Sequence, residues 1–237
     1  MQLRFLLLVI LACLLSACTS TQVRHAEGIV AKSAVAKGKR LLLMPPEVEI
    51  TEMLASGIQE PRPEWTQAAK QYIAQSLAEI LKQSQTELIA YAAPADEAFR
   101  DRTRQLELLH QAVGGSIAAF GFRNLLPSKH DRFDWTLGPG VVVLKERFKA
   151  DYALYTYVYD SYASAGRKAM RVVGLLASFA GVGVSVKTGY RIGFASLIDL
   201  RDGRVIWSGL MVSEVGDLRN AKDAMDVTRQ MLKGAPF

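Results

Sequence analysis

The chain has 237 residues, of which 50% are hydrophobic and 22% are charged. This composition excludes disorder as the main state and suits one globular domain that can bury a real core. The net charge of +6 is modest for this length, and no basic stripe with interleaved aromatic residues occurs, so we expect no nucleic-acid partner.

Residue types that carry chemistry are scarce. The two cysteines, Cys13 and Cys18, lie close together near the first residue, and His25, His110 and His130 are far apart. We therefore expect no disulfide framework and no metal site in the body of the protein. The G-x-S-x-G, H-E-x-x-H and Walker A motifs are missing too, which favours a protein without a cofactor and without enzymatic activity.

Residues 1–17 have the form of a secretory signal. A short positive head precedes the unbroken apolar run Phe5–Leu15, which is too short to span a bilayer as a helix. The next residues, Leu15-Ser16-Ala17-Cys18, resemble the lipobox of bacterial lipoproteins. The resemblance implies that the Cys18 thiol is acylated with diacylglycerol and that Cys18 becomes the new N-terminus. An ordinary secreted protein and an uncleaved anchor are the alternatives.

The residue after the lipobox cysteine is informative about location. Asp at that position resembles the signal for retention in the inner membrane, whereas this chain has Thr19. The outer membrane is therefore the expected address. Residues 18–38 are rich in Ser, Thr, Ala, Gly and Lys and contain no aromatic residue, so we predict an acylated N-terminus followed by a flexible tether.

The body, residues 39–237, is predicted as an α/β domain that begins with alternating short strands and helices. A buried strand ends at Pro45-Pro46 because proline cannot donate to a ladder, and a helix opens at Pro63 with apolar residues at helical spacing. The predicted elements are a strand at Arg40–Met44, an irregular stretch at Glu47–Arg62, a helix at Pro63–Gln83 and a strand at Thr86–Tyr91.

The middle of the chain is predicted to contain two helices and a long loop. The elements are a helix at Pro94–Val113, an ambiguous stretch at Ser116–Phe122 for which a strand is favoured, a loop at Arg123–Gly140, and a short helix at Val141–Lys149. Large aromatic residues in exposed loops are common partner anchors. Phe133 and Trp135 are therefore candidate contacts for a partner, and the alternative is that they fold back onto the body.

Three β-patterned segments follow: Tyr152–Ser161, Gly189–Leu200 and Val205–Ser213. The last two flank Asp202-Gly203, a pair that favours a tight hairpin turn. A two-residue turn would place Leu200 opposite Val205 and Ile198 opposite Trp207. Together with the helices, these segments predict a single mixed sheet flanked by helices, with a C-terminal β-hairpin and a terminal helix.

An apolar insert at 162–187 separates the first of these strands from the hairpin. Val172–Val186 carries no charge, and three cations, Arg167, Lys168 and Arg171, precede it. As a helix it would be roughly 22 Å long, which is short of the ~30 Å hydrocarbon core. Its apolar surface has to be buried by its own sheet, which we favour, by a neighbouring subunit or by lipid. Leu175 and Phe179 are candidate partner contacts.

Several acids lie near predicted strand ends, where acids can be catalytic. Turn formation and edge solubility explain most of them. A lipid-anchored envelope hydrolase would instead need a cleft with two carboxylates about 5 to 9 Å apart. The candidates for such a pair are Asp151, Asp160, Asp199 and Glu214.

The predicted order is strand, helix, strand. It is followed by Asp151-Tyr-Ala-Leu154 and by the pattern Ala195-Ser-Leu-Ile-Asp199 with Gly203 and Trp207. These features together resemble the CsgG-like outer-membrane lipoproteins. That group is similar in fold to the amino-terminal domain of TolB and to the peptidoglycan-synthase activator lipoproteins. The resemblance implies a non-enzymatic periplasmic α/β domain that assembles with itself or with envelope partners, often in export. This chain departs from the pattern because it shows no clear pair of bilayer-spanning hairpins.

We therefore expect an outer-membrane lipoprotein that faces the periplasm and serves as a binding or assembly module of a cell-envelope complex. Its partners would be the membrane, through the lipid on Cys18, and envelope proteins or further copies of itself. A subunit of an outer-membrane secretion channel and a lipid-anchored envelope hydrolase are the alternatives.

Overall fold

The computed structural model describes residues 19–29, 35–123, 125–129, 132–179, 189–213 and 216–237, and in the helix that ends at Phe179 it describes side chains as far as Val173. Within these ranges one mixed sheet has helices on both faces, as the sequence predicted. The strands are β1 Thr19–His25, β2 Arg40–Leu43, β3 Glu47–Met53, β4 Gln59–Pro61, β5 Glu87–Ala90, β6 Tyr152–Ala163, β7 Arg191–Asp199 and β8 Val205–Ser213. The helices are α1 Pro63–Leu81, α2 Glu97–Phe120, α3 Val142–Phe148, α4 Ala165–Phe179 and α5 Ala221–Met231.

Strand β6 is a central strand of the sheet, whose main order is β1-β8-β7-β6-β2-β5. One edge of β6 pairs with β7 in antiparallel fashion. The other edge takes β2 beside its first residues and β3 beside its later ones, both parallel. Pro45-Pro46 separates β2 from β3 because two successive residues without a backbone donor cannot continue one ladder.

The irregular stretch predicted for Glu47–Arg62 was wrong. Strand β3 alternates polar and apolar residues, with Val48 and Ile50 buried between exposed or half-buried neighbours. This is the two-residue period of a strand with one buried face. Strand β3 then turns back to pair with β4.

An apolar layer is buried on each face of the sheet. Helices α1 and α5 cover one face, where Ile73 and Met231 belong to the same buried cluster as Trp207. Helices α2 and α3 cover the other face, where Ile117 and Leu144 are fully buried. Full burial of one large apolar side chain stabilises a fold by about 1.5–3 kcal/mol, so both layers contribute strongly to stability.

The flexible tether predicted for residues 18–38 was wrong over the described part of that range. Thr19–His25 forms β1, which pairs with β8 along its whole length. Farther on, Ala36 is fully buried and its N–H donates to the Pro236 carbonyl at 3.1 Å. The Ser and Thr content is typical of a linker, but β-branched Thr19, Thr21 and Val23 at alternate positions also suit a strand.

The strand favoured for Ser116–Phe122 was wrong because α2 continues through Gly114 and Gly115 to Phe120. A Cβ on Gly114 would lie 2.2 Å from the Phe194 ring. Gly114 therefore lets the helix approach the sheet closely, and it does not end the helix.

The β7–β8 hairpin is present, but its register differs from the two-residue turn. The Asp199 N–H donates to the Arg204 carbonyl at 2.9 Å, which leaves four residues in the turn. Ile198 lies opposite Val205, and a bulge brings Trp207 opposite Leu197. The Asp199 carboxylate accepts a hydrogen bond from the Arg201 N–H at 2.9 Å, which stabilises this wider turn.

Candidate functional site

One end of the sheet brings four strands together in a single register. Thr19 of β1 lies opposite Ser213 of β8, Ser213 lies opposite Arg191 of β7, and Arg191 lies opposite Asp160 of β6. The hydroxyl oxygens of Thr19 and Ser213 are 3.0 Å apart. Neighbouring strands are about 4.8 Å apart, so Thr19 lies roughly 14 Å from Asp160. This end of the sheet is termed the Thr19 end.

The predicted lipidation residue adjoins β1 in the sequence. Cys18 lies outside the described residues, but it immediately precedes Thr19 in the sequence. Lipidation at Cys18 therefore stays a prediction from the sequence.

A buried ion pair joins β6 and β7 at the Thr19 end. The Arg191 Nε donates to Asp160 Oδ2 at 2.8 Å, and both side chains are almost wholly buried. The guanidinium also donates to the Gly216 carbonyl at 3.1 Å, and the Tyr162 hydroxyl accepts from the Leu218 N–H at 2.7 Å. This network fixes the segment after β8 against the sheet.

The same network governs the ionisation of Asp160. Burial raises the pKa of its carboxyl group, and the charge of Arg191 and the hydrogen bond from Tyr162 oppose that rise. A small cavity of about 80 Å³ adjoins the pair. Because Oδ2 of Asp160 accepts from two nitrogens of the Arg191 guanidinium and the side chain is almost wholly buried, Asp160 is poorly placed to act as a nucleophile or general base.

Helix α4, which lies within the apolar insert, leaves the sheet at the Thr19 end directly after β6. Its side chains from Ala165 to Val173 are exposed except for half-buried Arg167, whose Nη1 donates to the Leu54 carbonyl at 3.4 Å. Packing of this segment against its own sheet, which the sequence favoured, is therefore wrong for the side chains that the structure describes. The side chains of Leu175 and Phe179 lie outside them, so partner contact there stays a prediction.

None of the helices in the described ranges combines the length and apolar character needed to cross a bilayer. Across those same ranges, no group of three or more His, Cys, Asp or Glu side chains could hold a metal ion.

The candidate acids of the hydrolase alternative are split between the two ends of the sheet. Asp160 lies at the Thr19 end, whereas Asp199 lies opposite Tyr152 at the other end of β6. Tyr152 and Asp160 are eight residues apart on β6, which corresponds to roughly 26 Å along the strand. Asp160 and Asp199 are therefore much farther apart than the ~5 to 9 Å of paired glycosidase carboxylates. Glu214 lies outside the described residues.

Asp151 and Asp199 do lie near each other, and each already has partners. Asp151 Oδ2 accepts from the Arg40 N–H at 3.0 Å. The Arg201 guanidinium donates to both Asp199 oxygens, at 3.0 Å from Nε to Oδ1 and 2.6 Å from Nη2 to Oδ2. Burial raises the pKa of Asp199, but the hydrogen bonds from Arg201 outweigh it and leave the pKa below its usual range.

A cavity of about 460 Å³ opens at this second end of the sheet. Its charged lining is Lys145, Glu146, Lys149, Asp151 and Arg201, so cations outnumber acids. Only Asp151 of the four candidate acids lines it. The cavity therefore holds one of the candidate acids, Asp151, beside Glu146 in a lining with more cations than acids, and the hydrolase alternative stays a prediction.

His110 is a buried titratable group that sequence patterns did not single out. Its ring lies between Tyr155 and Phe194, with centroid distances of 5.0 and 5.4 Å. Burial lowers the pKa of His110 to about 3. Its Nε2 has no hydrogen-bond partner among the described groups, and a lone histidine in a helix gave no signal for this position.

The two loop aromatics fold back onto the body. Phe133 is only 4% exposed and belongs to the core beneath α2 and α3, with Arg24 above its ring at 5.8 Å. Trp135 is partly buried against the same core, with Lys129 Nζ 5.2 Å from its ring centroid. In this conformation Phe133 is not accessible to a partner, which agrees with the alternative that it folds back onto the body, and partner contact at Trp135 stays a prediction.

Comparison with known proteins gives structural likeness only. No family model and no curated protein matches this chain. Among solved structures it is similar to the PelC dodecamer from Paraburkholderia phytofirmans, with 11% identity, a TM-score of 0.42, and coverage of 92% of this chain and 96% of that one. A variant of the same PelC dodecamer gives 12% identity, a TM-score of 0.40, and coverage of 92% and 97%.

Lipoprotein GNA1162 from Neisseria meningitidis gives 14% identity, a TM-score of 0.32, and coverage of 83% of this chain and 99% of that one. At such identities and TM-scores the likeness does not extend to function. The resemblance to CsgG-like lipoproteins therefore stays a prediction from the sequence.

Proposed function

We propose that this chain is a lipoprotein of the bacterial outer membrane that faces the periplasm and acts as a non-enzymatic binding or assembly module of a cell-envelope complex. The observation that carries the proposal is the start of β1 at Thr19, the residue directly after the lipobox Cys18. The lipid would therefore be attached to the sheet itself.

Direct attachment has a mechanical consequence. A flexible linker of n residues spans roughly 5–6 Å times the square root of n, so a tethered body samples many heights and orientations. A body whose first strand starts at the acylated residue is held at one height with the Thr19 end toward the bilayer. Fixed orientation suits a protein that must meet neighbours on the same membrane.

The condition of the acids supports a non-enzymatic role. Asp160 is neutralised by Arg191, and Asp199 is held by both nitrogens of one Arg201 fork. Carboxylates that already accept charge-assisted hydrogen bonds make poor nucleophiles and bases.

The first experiment tests the anchor. Cys18→Ser removes the thiol that acylation requires, so metabolic labelling with palmitate should be lost and the protein should leave the outer-membrane fraction. Because stable anchoring needs more than one acyl chain and Cys18 is the attachment point, release of the variant from the membrane should be nearly complete. Continued labelling of the variant, or an unlabelled wild type, would contradict the proposal.

The second experiment tests the fixed orientation. Insertion of about ten Gly and Ser residues between Cys18 and Thr19 adds up to roughly 35 Å of reach without removing the lipid. We expect the variant to stay in the outer membrane and to lose the partners that in-cell cross-linking captures with the wild type. The control carries the same insertion between Ala92 and Ala93, in an exposed loop, and should keep those partners. Identical partners for all three proteins would contradict a role for fixed orientation.

A further inference from the structure

Exposed large apolar side chains concentrate at the Thr19 end. The described part of the chain exposes ten of them, of which six lie at this end and four lie on α2 or shortly after it. The six are Ile58, Met170, Val172, Val173, Tyr190 and Val212. Val173 and Ile58 are 65% and 62% exposed. An apolar surface of this kind, gathered at one end of a protein, marks an interaction site.

The strand registers show that these residues come from separate elements that all reach the Thr19 end. Ile58 lies in the turn after β3, whose last residue, Met53, pairs with Ala163 at the end of β6. Tyr190 immediately precedes β7, and its carbonyl accepts from the Ser161 N–H at 3.1 Å. Val212 pairs with Ser20, one residue from Thr19.

Helix α4 divides its charged and apolar residues between two sides. At about 100° per residue, Arg167, Arg171 and Lys168 fall within an arc of roughly 100°. Val173 falls opposite that arc, and Met170 and Val172 lie to either side of Val173, about 60° and 40° from the nearest cation. All three apolar side chains are exposed. A helix with cations on one side and exposed apolar residues on the other is typical of a helix lying in a membrane interface.

The charges around α4 favour an anionic surface. Ala165–Phe179 contains three cations and no acid. Three of the described acids at or near the Thr19 end are engaged by arginines of their own segments: Glu52 by Arg62, Asp217 by Arg219 at 2.6 Å, and Asp226 by Arg229 at 3.1 Å. Asp223 accepts from the Asp217 N–H at 2.6 Å.

We propose that α4, together with Ile58 and Tyr190, lies on the surface of the bilayer that holds the acyl chains of Cys18, and that its cations bind anionic phospholipid headgroups there. The inference rests on the proposed function, because the lipid on Cys18 places the Thr19 end against the membrane. At roughly 22 Å α4 is too short to cross a ~30 Å hydrocarbon core, so it lies along the interface. Tyr190, 46% exposed, suits the headgroup level, where tyrosine is enriched.

The test uses the acylated full chain reconstituted into vesicles. Val173→Cys supplies a single reactive thiol on α4, since Cys18 is blocked by lipid, and a fluorophore on it reports quenching by brominated lipid. Leu108→Cys is the matched control, because Leu108 is an exposed apolar residue on α2. In vesicles of phosphatidylethanolamine and phosphatidylglycerol we expect strong quenching at residue 173 and little at residue 108.

Flotation with the vesicles separates the outcomes. A protein that floats while the label at residue 173 is no more quenched than the label at residue 108 overturns the inference and leaves the lipoprotein proposal standing. A floating protein in which residue 173 cross-links between copies without quenching assigns α4 to a second subunit and also overturns it. A chain that carries no lipid and does not float overturns the proposed function.

Charge reversal tests the headgroup contact separately. A basic residue near an anionic leaflet contributes ~1 kcal/mol, so Lys168→Glu with Arg171→Glu should weaken the contact of α4 by about 30-fold or more, and quenching at residue 173 should fall while flotation persists. The control pair Arg102→Glu and Lys233→Glu makes the same change of net charge at exposed positions elsewhere and should leave quenching unchanged. Equal effects of the two pairs would overturn the electrostatic part.

Discussion

Buried His110 predicts that this protein loses stability in mild acid. The imidazole is enclosed by Tyr155 and Phe194, and burial holds its pKa at about 3, against 6.5 for an ordinary histidine. A base whose pKa is lower in the folded state binds protons more readily when unfolded. Stability is therefore complete above about pH 6.5 and declines as the pH falls toward 3.

The expected size follows from those two pKa values. At about pH 5 the unfolded-state histidine is almost fully protonated and the folded one is neutral, which lowers the free energy of unfolding by about 2 kcal/mol; at about pH 4 the loss reaches about 3 kcal/mol. For a chain of this size 2 kcal/mol corresponds to a fall of roughly 4–8 °C in Tm. Glu107, one turn earlier on α2, acts in the opposite sense, because burial raises its carboxyl pKa.

His110→Phe isolates the histidine from Glu107 and the other carboxylates. Phenylalanine keeps an aromatic ring between Tyr155 and Phe194 and removes Nε2, which has no hydrogen-bond partner in the described structure. Urea unfolding followed by tryptophan fluorescence near pH 7.5 and near pH 5 gives the two free energies. We expect the wild type to lose about 2 kcal/mol more than the variant between these pH values. Equal losses would refute the assignment of the acid sensitivity to His110.

Two further predictions concern packing and the buried ion pair. Gly114→Ala should lower the free energy of unfolding by about 1–3 kcal/mol, because the new Cβ would overlap the Phe194 ring. Gly115→Ala, whose Cβ would have nothing within 4 Å, should raise it by roughly 0.5–1 kcal/mol through helix propensity. Thermal unfolding of both variants checks the contrast, and similar shifts would contradict it. Asp160→Asn leaves the Arg191 charge buried without its carboxylate and should cost about 3–5 kcal/mol in urea unfolding, most of which Asp160→Leu with Arg191→Met should restore. A single variant as stable as the wild type would show that the pair does not stabilise the fold.

The strands with local signals could be predicted from the sequence. Strands β6, β7 and β8 carry runs of β-branched and aromatic residues, and a hairpin turn is marked by Gly203, whose φ of +81° suits glycine. The register of that hairpin could not be predicted. It depends on Gly203 packing against the backbone of Gly138, where a Cβ would meet the carbonyl oxygen at 2.1 Å, and no local pattern reports a contact across 65 residues.

Strand β1 shows a second limit. Thr19–His25 pairs with β8 about 190 residues later, so nothing near it in the sequence distinguishes it from a solvated linker of the same composition. The exposed side of α4 was equally hidden, because an uncharged apolar run predicts burial without saying by what. Asp160 lies three residues before the end of β6 and Arg191 begins β7, and their pairing follows only from the antiparallel register of the two strands.

The position of the lipobox and the position of α4 are independent features of this sequence, separated by about 150 residues. A linker between Cys18 and the fold would have made their relative placement meaningless, since the helix could then have faced any direction. Pairing of β1 with β8 removes that freedom, so that the lipobox and α4 adjoin the same end of the sheet. The exposed apolar side chains of α4 would cost solubility on a free protein, and under our proposal they become favourable because a lipid on Cys18 holds that end of the sheet against a membrane.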